Sequence, residues 1–409
     1  MPKPGKNYLL NTEEKQEWMR DYFFAPRGLG FLEPGIVGPD DARVAAFNVA
    51  KSFYQTRPDV FNLALVAEKT GLSADEIKAR LQRMYDERLY MLVKNSSVGV
   101  YGFGLWYWVV KMKDGCPPEE KQKLTDWIQN NNEICTGYAC DGGDFDFYCG
   151  NHMRVLDNLL EAIIDPIKQN PYVEYVHLCP VRRDLRESSV NQADTPFRFR
   201  EFRFSDEAKK KLFEYTDKID EKDLEVLEVL NNTEFSADLF NYDVLQELSG
   251  LDGAKMREDF SHVMDESRFL INMLYLNFMK LGLNNHCYLI RMFQNTPSYR
   301  KSQIIDELAA NPDFNNVFEF TDSYHDAIFM AYEELTDSQK LRETMEAYPE
   351  IEEILEANSP RQFRRWTARL DDDTDNWEMC VFTDDLLQNR MARKNACSLC
   401  ADKEENESC

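Results

Sequence analysis

The 409-residue sequence predicts an α+β protein in which two winged helix-turn-helix modules alternate with two ferredoxin-like (β-α-β-β-α-β) modules. Three observations predict this. The stretch "TGLSADEIKARLQRMYDERLYML" has the spacing of a helix-turn-helix, alternating strand and helix patterns follow it, and the whole order occurs again farther along the chain. Self-similarity of this kind indicates a duplicated unit. We therefore expect two copies, at about residues 43–184 and 217–371.

The first copy begins with three predicted helices. Apolar residues recur at helical spacing over residues 43–57 and 59–69. Gly71 then supplies a tight turn, and Ser73 is a typical helix N-cap with Glu76 three residues later as its capping-box partner. Three helices with a glycine-containing turn predict a helix-turn-helix, and the strand-like "LYMLV" that follows predicts its wing.

The rest of the first copy alternates strands and helices. The segments are strand "VYGFGLWYWVVKMK", helix "PPEEKQKLTDWIQNN", strand "EICTGYAC", strand "DFDFYC", helix "HMRVLDNLLEAIIDPIKQ" and strand "YVEYVHLC". This order is typical of a ferredoxin-like fold. Both faces of the aromatic first strand are apolar, so one face should pack on helices. The other should meet a second sheet, either of the other copy or of another chain.

The second copy repeats this order more faintly, from the helical pattern "DLEVLEVLNN" to the strand-like "IEEILEAN". We therefore divide the chain into seven segments. They are an N-terminal arm (1–42), winged helix 1 (43–98), ferredoxin-like unit 1 (99–190), a linker (191–216), a degenerate winged helix 2 (217–284), ferredoxin-like unit 2 (285–370) and an acidic, cysteine-containing tail (371–409).

Charge and hydropathy limit the classes of protein. The formal net charge is −25, which argues against nonspecific nucleic-acid binding by the chain as a whole. No apolar stretch approaches the roughly 20 residues of a membrane span. The beginning, "MPKPGKNYLLNTEEKQEW", lacks an apolar signal core, so we expect a cytoplasmic protein without membrane contact. Ten cysteines without a secretory signal indicate free thiols, which suit a reducing, anaerobic cell.

Charge is distributed unevenly between the two winged helices. Residues 43–94 hold nine basic and six acidic residues, whereas residues 217–283 hold six basic and fifteen acidic ones. Winged helix 1 is therefore the one expected to contact DNA, and winged helix 2 is expected to be scaffold. The residues expected to contact DNA are Ser73, Lys78, Arg80 and Arg83. The alternative is that Asp75 and Glu76 only cap the helix and that its basic residues are solvated.

This pattern resembles the feast/famine (leucine-responsive regulator, Lrp/AsnC) family. The resemblance lies in "TGLSADEIKARLQRMYDERLYML" and in "CTGYACDGGDFDFYCGN…NPYVEYVHLCPVRR". Members of the family carry one copy, whereas this chain carries two. The resemblance implies a ligand-responsive transcriptional regulator. Its winged helix would bind DNA, and its ferredoxin-like domain would dimerise through the sheet and sense a small effector.

The resemblance also implies a place for the effector. In the family it binds near the turn after the second strand of the ferredoxin-like domain, at a subunit interface. In unit 1 the corresponding residues are Gly137, Gly143, Asp144 and Asp146. In unit 2 the matching turn contains Asp322 and Asp326 but lacks the glycines, which weakens the expectation of a ligand there.

A second branch of proteins resembles this architecture. Sirohaem decarboxylases pair two feast/famine-like subunits as an enzyme, and a fused pair would have about the length of this chain. In such a tetrapyrrole decarboxylase, histidines would donate protons and arginines would hold substrate carboxylates. The candidates are His152, His286, His325 and Arg291, with Arg182 and Arg183 as further arginines. The alternative for each histidine is an ordinary surface or strand-end residue, and a third class is an acidic assembly or interaction protein.

Cysteines suggest two further kinds of site. Cys397 and Cys400 have the spacing of a metal-ligand pair. A zinc ion or an Fe–S cluster there would be held by Cys397, Cys400 and Cys409, with Cys380 as a further partner; otherwise the tail carries free thiols. Cys135, Cys140 and Cys149 flank the turn of unit 1, where they form either a redox or metal sensor or small buried hydrophobes.

Overall fold

The computed structural model describes most of the chain between residues 58 and 382. The described ranges are 58–87, 89–96, 104–131, 134, 136–153, 156–187, 204–233, 236–261, 270–276, 281–359, 361–362, 365–371 and 376–382. The predicted helix over residues 43–57 lies outside them, and so do Cys135 and the predicted metal ligands Cys397, Cys400 and Cys409. These predictions therefore stay predictions.

Winged helix 1 has the predicted helix-turn-helix. A 3-10 turn (Pro58–Val60) leads to helix α1 (Leu63–Thr70), helix α2 (Ala74–Asp86) and strand β1 (Tyr90–Ser96). Gly71 ends α1 with a φ of 72°, a left-handed conformation that favours glycine. The Ser73 hydroxyl accepts a hydrogen bond from the Glu76 N–H (3.2 Å), as expected of the N-cap.

Unit 1 has the predicted β-α-β-β-α-β order. Its elements are β2 (Gly104–Met112), α3 (Pro118–Asn130), β3 (Thr136–Ala139), β4 (Phe147–Met153), α4 (Leu156–Leu159), a π turn (Leu160–Ile164), α5 (Asp165–Lys168) and β5 (Val173–Glu187). Leu159, Ile163 and Ile164 are buried, as their helical spacing predicts. His152 does not begin the second helix, because it still belongs to β4, where its backbone pairs with Leu105.

Among the described residues, four helices precede the strand of winged helix 2, and the first of them lies in the predicted linker. They are α6 (Asp206–Tyr215), α7 (Glu221–Asn232), α8 (Tyr242–Ser249) and α9 (Gly253–Phe260), and strand β6 (Leu270–Leu276) follows. The predicted linker thus ends in a helix, α6. The apolar spacing of "SADLFNYDVLQELSG" predicts one helix, but the segment is divided into a 3-10 turn and α8, because the Asn241 side chain caps α8 by accepting from the Val244 N–H (3.4 Å).

Unit 2 repeats the order of unit 1. Its elements are β7 (Asn285–Met292), α10 (Ser298–Ala309), β8 (Phe314–Phe320), β9 (Ala327–Tyr332), α11 (Ser338–Glu346) and β10 (Ile351–Ser359). The short strand β11 (Arg361–Gln362) and the hairpin of β12 (Arg365–Asp371) and β13 (Asn376–Phe382) follow. Residues 376–382, which lie in the predicted acidic tail, therefore form a strand.

The two units share one nine-stranded sheet, ordered β10-β7-β9-β8-β5-β2-β4-β3-β11. The end of β5 pairs with β8 of the other unit, and β11 returns to pair with β3. Since β10 and β11 are consecutive in the chain, the two ends of the sheet are joined. The winged helices also pair across the chain, because β1 is antiparallel to β6 and the Phe61 and Phe240 rings stack at 6.5 Å.

The core lies in three layers. One apolar cluster lies between the sheet and the helices of unit 1, a second lies under the helices of unit 2, and the third is shared by both units and both winged helices. In β2, Trp106 and Trp108 face the helices, whereas Tyr107 and Val109 face the shared core. This confirms that both faces of β2 are buried, and the second face is covered within the chain. Among the described residues, no helix is long and apolar enough to cross a membrane.

Candidate functional site at the junction of the two units

The basic residues predicted to contact DNA are held by the other half of the chain. The Arg80 guanidinium Nη1 is 2.8 Å from the Asp220 carboxylate and 2.9 Å from that of Asp223. Arg83 also binds Asp223, and its Nη1 donates to the Lys218 carbonyl at 2.7 Å. In this contact of α7 with α2, Asp223 is only 1% exposed, whereas Arg83 and Asp220 are partly exposed to solvent. Of the predicted DNA contacts, Lys78 is exposed and Ser73 caps the helix.

These ion pairs reduce the positive charge that α2 presents to a DNA phosphate. The hydrogen bonds that Arg80 donates to Asp220 raise the pKa of Arg80, and the carboxylate offsets its positive charge. The same residues line an open cleft of about 670 Å³ between α2 and α7, together with Glu76, Glu87 and Asp217. Phosphate would therefore meet carboxylates beside both arginines.

The turn of unit 1 is closed by strand β10 of unit 2. The Asp144 N–H donates to the Glu356 carbonyl (2.7 Å), and the Glu356 N–H donates back to the Asp144 carboxylate (2.8 Å). A Cβ on Gly143 would lie 2.3 Å from the Glu356 carbonyl oxygen, and its φ is 105°. Gly143 is thus required by the approach of the chain's own backbone, and this packing leaves no room for an effector at its α-carbon.

Asp146 and Asp326 occupy equivalent positions in the two units, 180 residues apart, and make equivalent hydrogen bonds. The Asp146 carboxylate accepts from the Met112 N–H (2.7 Å) and the Lys121 ammonium (2.8 Å). The Asp326 carboxylate accepts from the N–H of Met292 (2.6 Å) and the ammonium of Lys301 (2.8 Å). Both predicted effector ligands are therefore bound within their own unit. Of the other two, Gly137 is buried in β3, and Asp322 takes a positive φ of 47° in its turn.

The turn of unit 2 brings two histidines together. It packs on β5 of unit 1, where the Thr321 N–H donates to the Pro180 carbonyl (3.0 Å). Nδ1 of His177 on β5 lies 3.0 Å from Nε2 of His325 in the turn. His325 is 1% exposed, and His177 is half-buried. This pair, called the histidine pair below, links the two units.

Aromatic rings and an arginine surround the histidine pair. The Tyr175 ring stacks on the His177 ring at 4.2 Å, and the Tyr324 ring lies 4.5 Å from His177 on a tilt of 35°. The Arg291 guanidinium lies over the Tyr324 ring at 4.7 Å, and its Nε donates to Glu353 at 3.1 Å. Tyr324 is 49% exposed, so the cluster reaches the surface. It presents a flat ring, a guanidinium and two imidazoles at one place.

Burial disfavours the charged form of both imidazoles. It lowers the pKa of His325 to about 3, helped by the neighbouring His177 and by the positive charge of Arg291. Burial also lowers the pKa of His177, while the Glu353 carboxylate acts in the opposite direction. Titratable groups with displaced pKa values beside a specific charge are typical of functional sites.

The other predicted catalytic residues do not join this cluster. His286 lies on the helix-covered face of β7 with Tyr288, and its Nε2 is 2.8 Å from Glu356. Arg291, with Cys287 and Leu289, occupies the opposite face, so the sheet separates His286 from His325. Arg182 and Arg183 bind the buried Glu319 across the β5–β8 pairing. The side chain of His152 lies outside the described residues.

His177 is the residue that the sequence did not single out. It alternates with Tyr175 and Cys179 along β5, and both of those neighbours pack in the shared core. That alternation was visible in "YVEYVHLC" and indicates an inward-facing histidine. The partner could not be found this way, because His325 is 148 residues distant in the chain.

The described cysteines favour the interpretation as small hydrophobes. Cys140, Cys149, Cys179 and Cys287 are buried, and burial raises the pKa of Cys140 well above its ordinary value. Within the described ranges, no three His, Cys, Asp or Glu side chains are grouped to hold a metal ion.

The chain has little detectable likeness to known proteins. No family model matches it, and no curated protein matches its sequence. A solved structure of the siroheme decarboxylase NirDL superimposes with a TM-score of 0.44 and 10% identity, over 81% of this chain and 96% of that one. A structure of NirDL with an iron-uroporphyrin III analogue gives 0.43 and 10%, over 78% and 92%. At these values the likeness carries no argument about the activity of this chain.

Proposed function

We propose that this chain is an enzyme that binds a flat, carboxylate-bearing tetrapyrrole at the junction of its units and removes carboxyl groups as carbon dioxide. The observation that carries the proposal is the histidine pair, which brings two imidazoles together beside Arg291 and Tyr324. The proposal takes up the second of the two resemblances in the sequence. The first, a DNA-binding regulator, loses support because Arg80 and Arg83 are paired with Asp220 and Asp223.

The surroundings of the pair suit such a substrate. A flat ring system can stack on the exposed face of Tyr324, and a guanidinium binds carboxylates through charge-assisted hydrogen bonds. Arg291 is already held by Glu352 and Glu353, at 2.8 and 3.1 Å, so its guanidinium has a fixed place before a substrate arrives. Such preorganisation lowers the entropy cost of binding.

The reaction needs a proton donor and no oxidant. When the bond between the substrate carbon and its carboxylate breaks, the electron pair stays on the carbon and carbon dioxide leaves. The protonated ring of His177 gives a proton to that carbon, and solvent then returns a proton to the ring. A low pKa makes protonated His177 a strong acid, so the rate should rise as the pH falls from 8 towards 6.

Binding and turnover test the proposal separately. Under anaerobic conditions the full-length protein would be titrated with iron-uroporphyrin III and followed by its absorption spectrum, and sirohaem turnover would be followed by mass spectrometry. The wild type should bind and release carbon dioxide. His177→Gln should bind but turn over about 10²–10⁴-fold more slowly, because the proton donor is lost. Arg291→Ala should bind about 10-fold more weakly.

His286→Gln is the matched control, because it changes a histidine on the opposite face of the sheet. It should bind and turn over like the wild type. If the wild type binds neither compound, or if His177→Gln turns over at the wild-type rate, the proposal is wrong.

A further inference from the structure

In the hydrogen bond between His177 and His325, one ring must be the donor and the other the acceptor. A neutral imidazole has one N–H donor and one bare acceptor nitrogen, so one ring of the pair must donate and the other must accept. Nδ1 of His325 is the deciding atom. It is buried, and within the described residues no donor or acceptor reaches it.

Counting protons decides between the two arrangements. If His177 donated from Nδ1, His325 would accept at Nε2 and carry its own proton on Nδ1, as a buried N–H without an acceptor. Buried N–H groups without a partner are rarer than buried acceptors with an unused lone pair. If His325 donates from Nε2, its Nδ1 has only a bare lone pair. The second arrangement leaves Nδ1 of His177 as the acceptor, so the proton of His177 must be on Nε2.

We infer that His325 is a positioning residue that fixes the proton of His177 on Nε2 and opposes the protonation of Nδ1. Only the role of that proton in catalysis rests on the proposed function. A charged His177 would point an N–H at His325, which would then have to move its own proton to the buried Nδ1. The depressed pKa values of both rings agree with this opposition.

A comparison of the two units indicates that the histidine pair is not required for the fold. Residues 180 positions apart occupy equivalent places in the two turns, so Phe145 stands where unit 2 has His325. The facing strands can be aligned by one hydrogen bond that occurs in both units. The Asp141 N–H donates to the Asn358 carbonyl, and the Thr321 N–H donates to the Pro180 carbonyl. In this alignment Leu355 corresponds to His177. The fold therefore accommodates apolar residues at both positions, and the histidines are not needed to close the junction.

Several groups face the pair and act on its titration. The Glu353 carboxylate of β10 favours a charged His177, whereas the Arg291 guanidinium of β7 disfavours a charged His325. Among the described residues, Tyr175 on β5 and Tyr324 in the turn also face the pair, and the Cys179 thiol donates to the His177 carbonyl.

Ring nitrogen resonances of the full-length protein labelled with nitrogen-15 histidine would test the inference. The chain has five histidines, so His177→Gln would identify the resonances of His177. At neutral pH the wild type should show a protonated Nε2 and a bare Nδ1. His325→Gln keeps a donor and should preserve this tautomer, but its carbonyl can also accept, so the titration midpoint of His177 should rise by about one pH unit. His325→Phe should leave His177 as a mixture of tautomers.

His286→Gln is again the control, and it should leave the His177 resonances unchanged. A wild-type His177 protonated on Nδ1, or the same single tautomer in His325→Phe, would overturn the inference. Because these spectra need no substrate, a failure to turn over sirohaem would contradict the proposed function and leave this inference standing.

Discussion

At the scale of single residues, the duplication separates structural from functional positions. Asp146 and Asp326 make the same two hydrogen bonds in the two units, so both copies have kept them. The residue immediately before each aspartate differs between the units: it is the buried Phe145 in unit 1 and His325 in unit 2. An internal repeat therefore provides its own control for which side chains serve the fold.

The neutral state of His325 should make stability depend on pH. Its pKa is about 3 in the folded protein and about 6.5 when unfolded. The folded state therefore gains stability that is fully present above pH 6.5 and is lost as the pH falls towards 3. Between pH 6.5 and 5 the wild type should lose up to about 1.4 kcal/mol per pH unit more than His325→Phe. Urea unfolding at both pH values measures this, and parallel losses in the two proteins would refute it.

Asp326→Ala should destabilise the protein by about 2 kcal/mol, because the Met292 N–H and the Lys301 ammonium lose their acceptor. Asp146→Ala should cost a similar amount in unit 1. Both values come from urea unfolding, and neither variant should alter tetrapyrrole binding. A change in unfolding free energy below about 0.5 kcal/mol, with weakened ligand binding, would instead return Asp326 to the role of a ligand-binding residue.

At the scale of elements, α2 has the sequence of a DNA-contacting helix, but two of its basic residues, Arg80 and Arg83, form ion pairs with another helix of the same chain. Its amphipathic spacing, its glycine turn and its cap are all local features, and each is present as predicted. What the local pattern omits is α7, whose Asp220 and Asp223 come from another part of the chain. The function of a helix thus depends on the element that packs against it.

Arg80→Ala should leave the affinity for DNA unchanged. The residue binds Asp220 and Asp223, so its loss should instead cost about 2 kcal/mol of stability by leaving a buried carboxylate with fewer partners. Fluorescence anisotropy with duplex DNA, titrated from low to physiological salt, measures the affinity. Lys78→Ala is the matched control on the same helix, at an exposed position. Selective, salt-sensitive binding that disappears in Arg80→Ala would restore the interpretation as a regulator.

At the scale of the whole molecule, the two halves complete each other. β5 leaves unit 1 to pair with β8, β11 leaves unit 2 to pair with β3, and the largest apolar cluster takes residues from both. The histidine pair also takes one ring from each half. Neither unit alone contains the candidate site.

A chain divided after residue 196 should therefore yield halves that depend on each other. Each half alone would expose its face of the shared core, so we expect each to aggregate when expressed singly and to co-purify as a one-to-one complex when expressed together. Size-exclusion chromatography of the co-expressed halves measures this. Two soluble, monomeric halves that do not associate would contradict the arrangement. The undivided chain is the control.

Much of the architecture follows from the sequence, because helix spacing, caps, turns and strand alternation act over a few residues. The two copies and the order of elements in both units are predicted on this basis, and the helical spacing of Leu159, Ile163 and Ile164 agrees with their burial. His152 was misplaced because the end of a strand and the start of a helix are fixed by pairing, in this case with Leu105.

The sequence by itself determined that this protein is a tandem α+β repeat, since that depends on local periodicity and on order along the chain. Only the tertiary structure decided which of its features act together. His177 meets His325, Arg80 meets Asp223, and β10 closes the turn at Gly143, all between residues more than a hundred positions apart. Contacts of that range depend on how the whole sheet closes, and no local pattern encodes them.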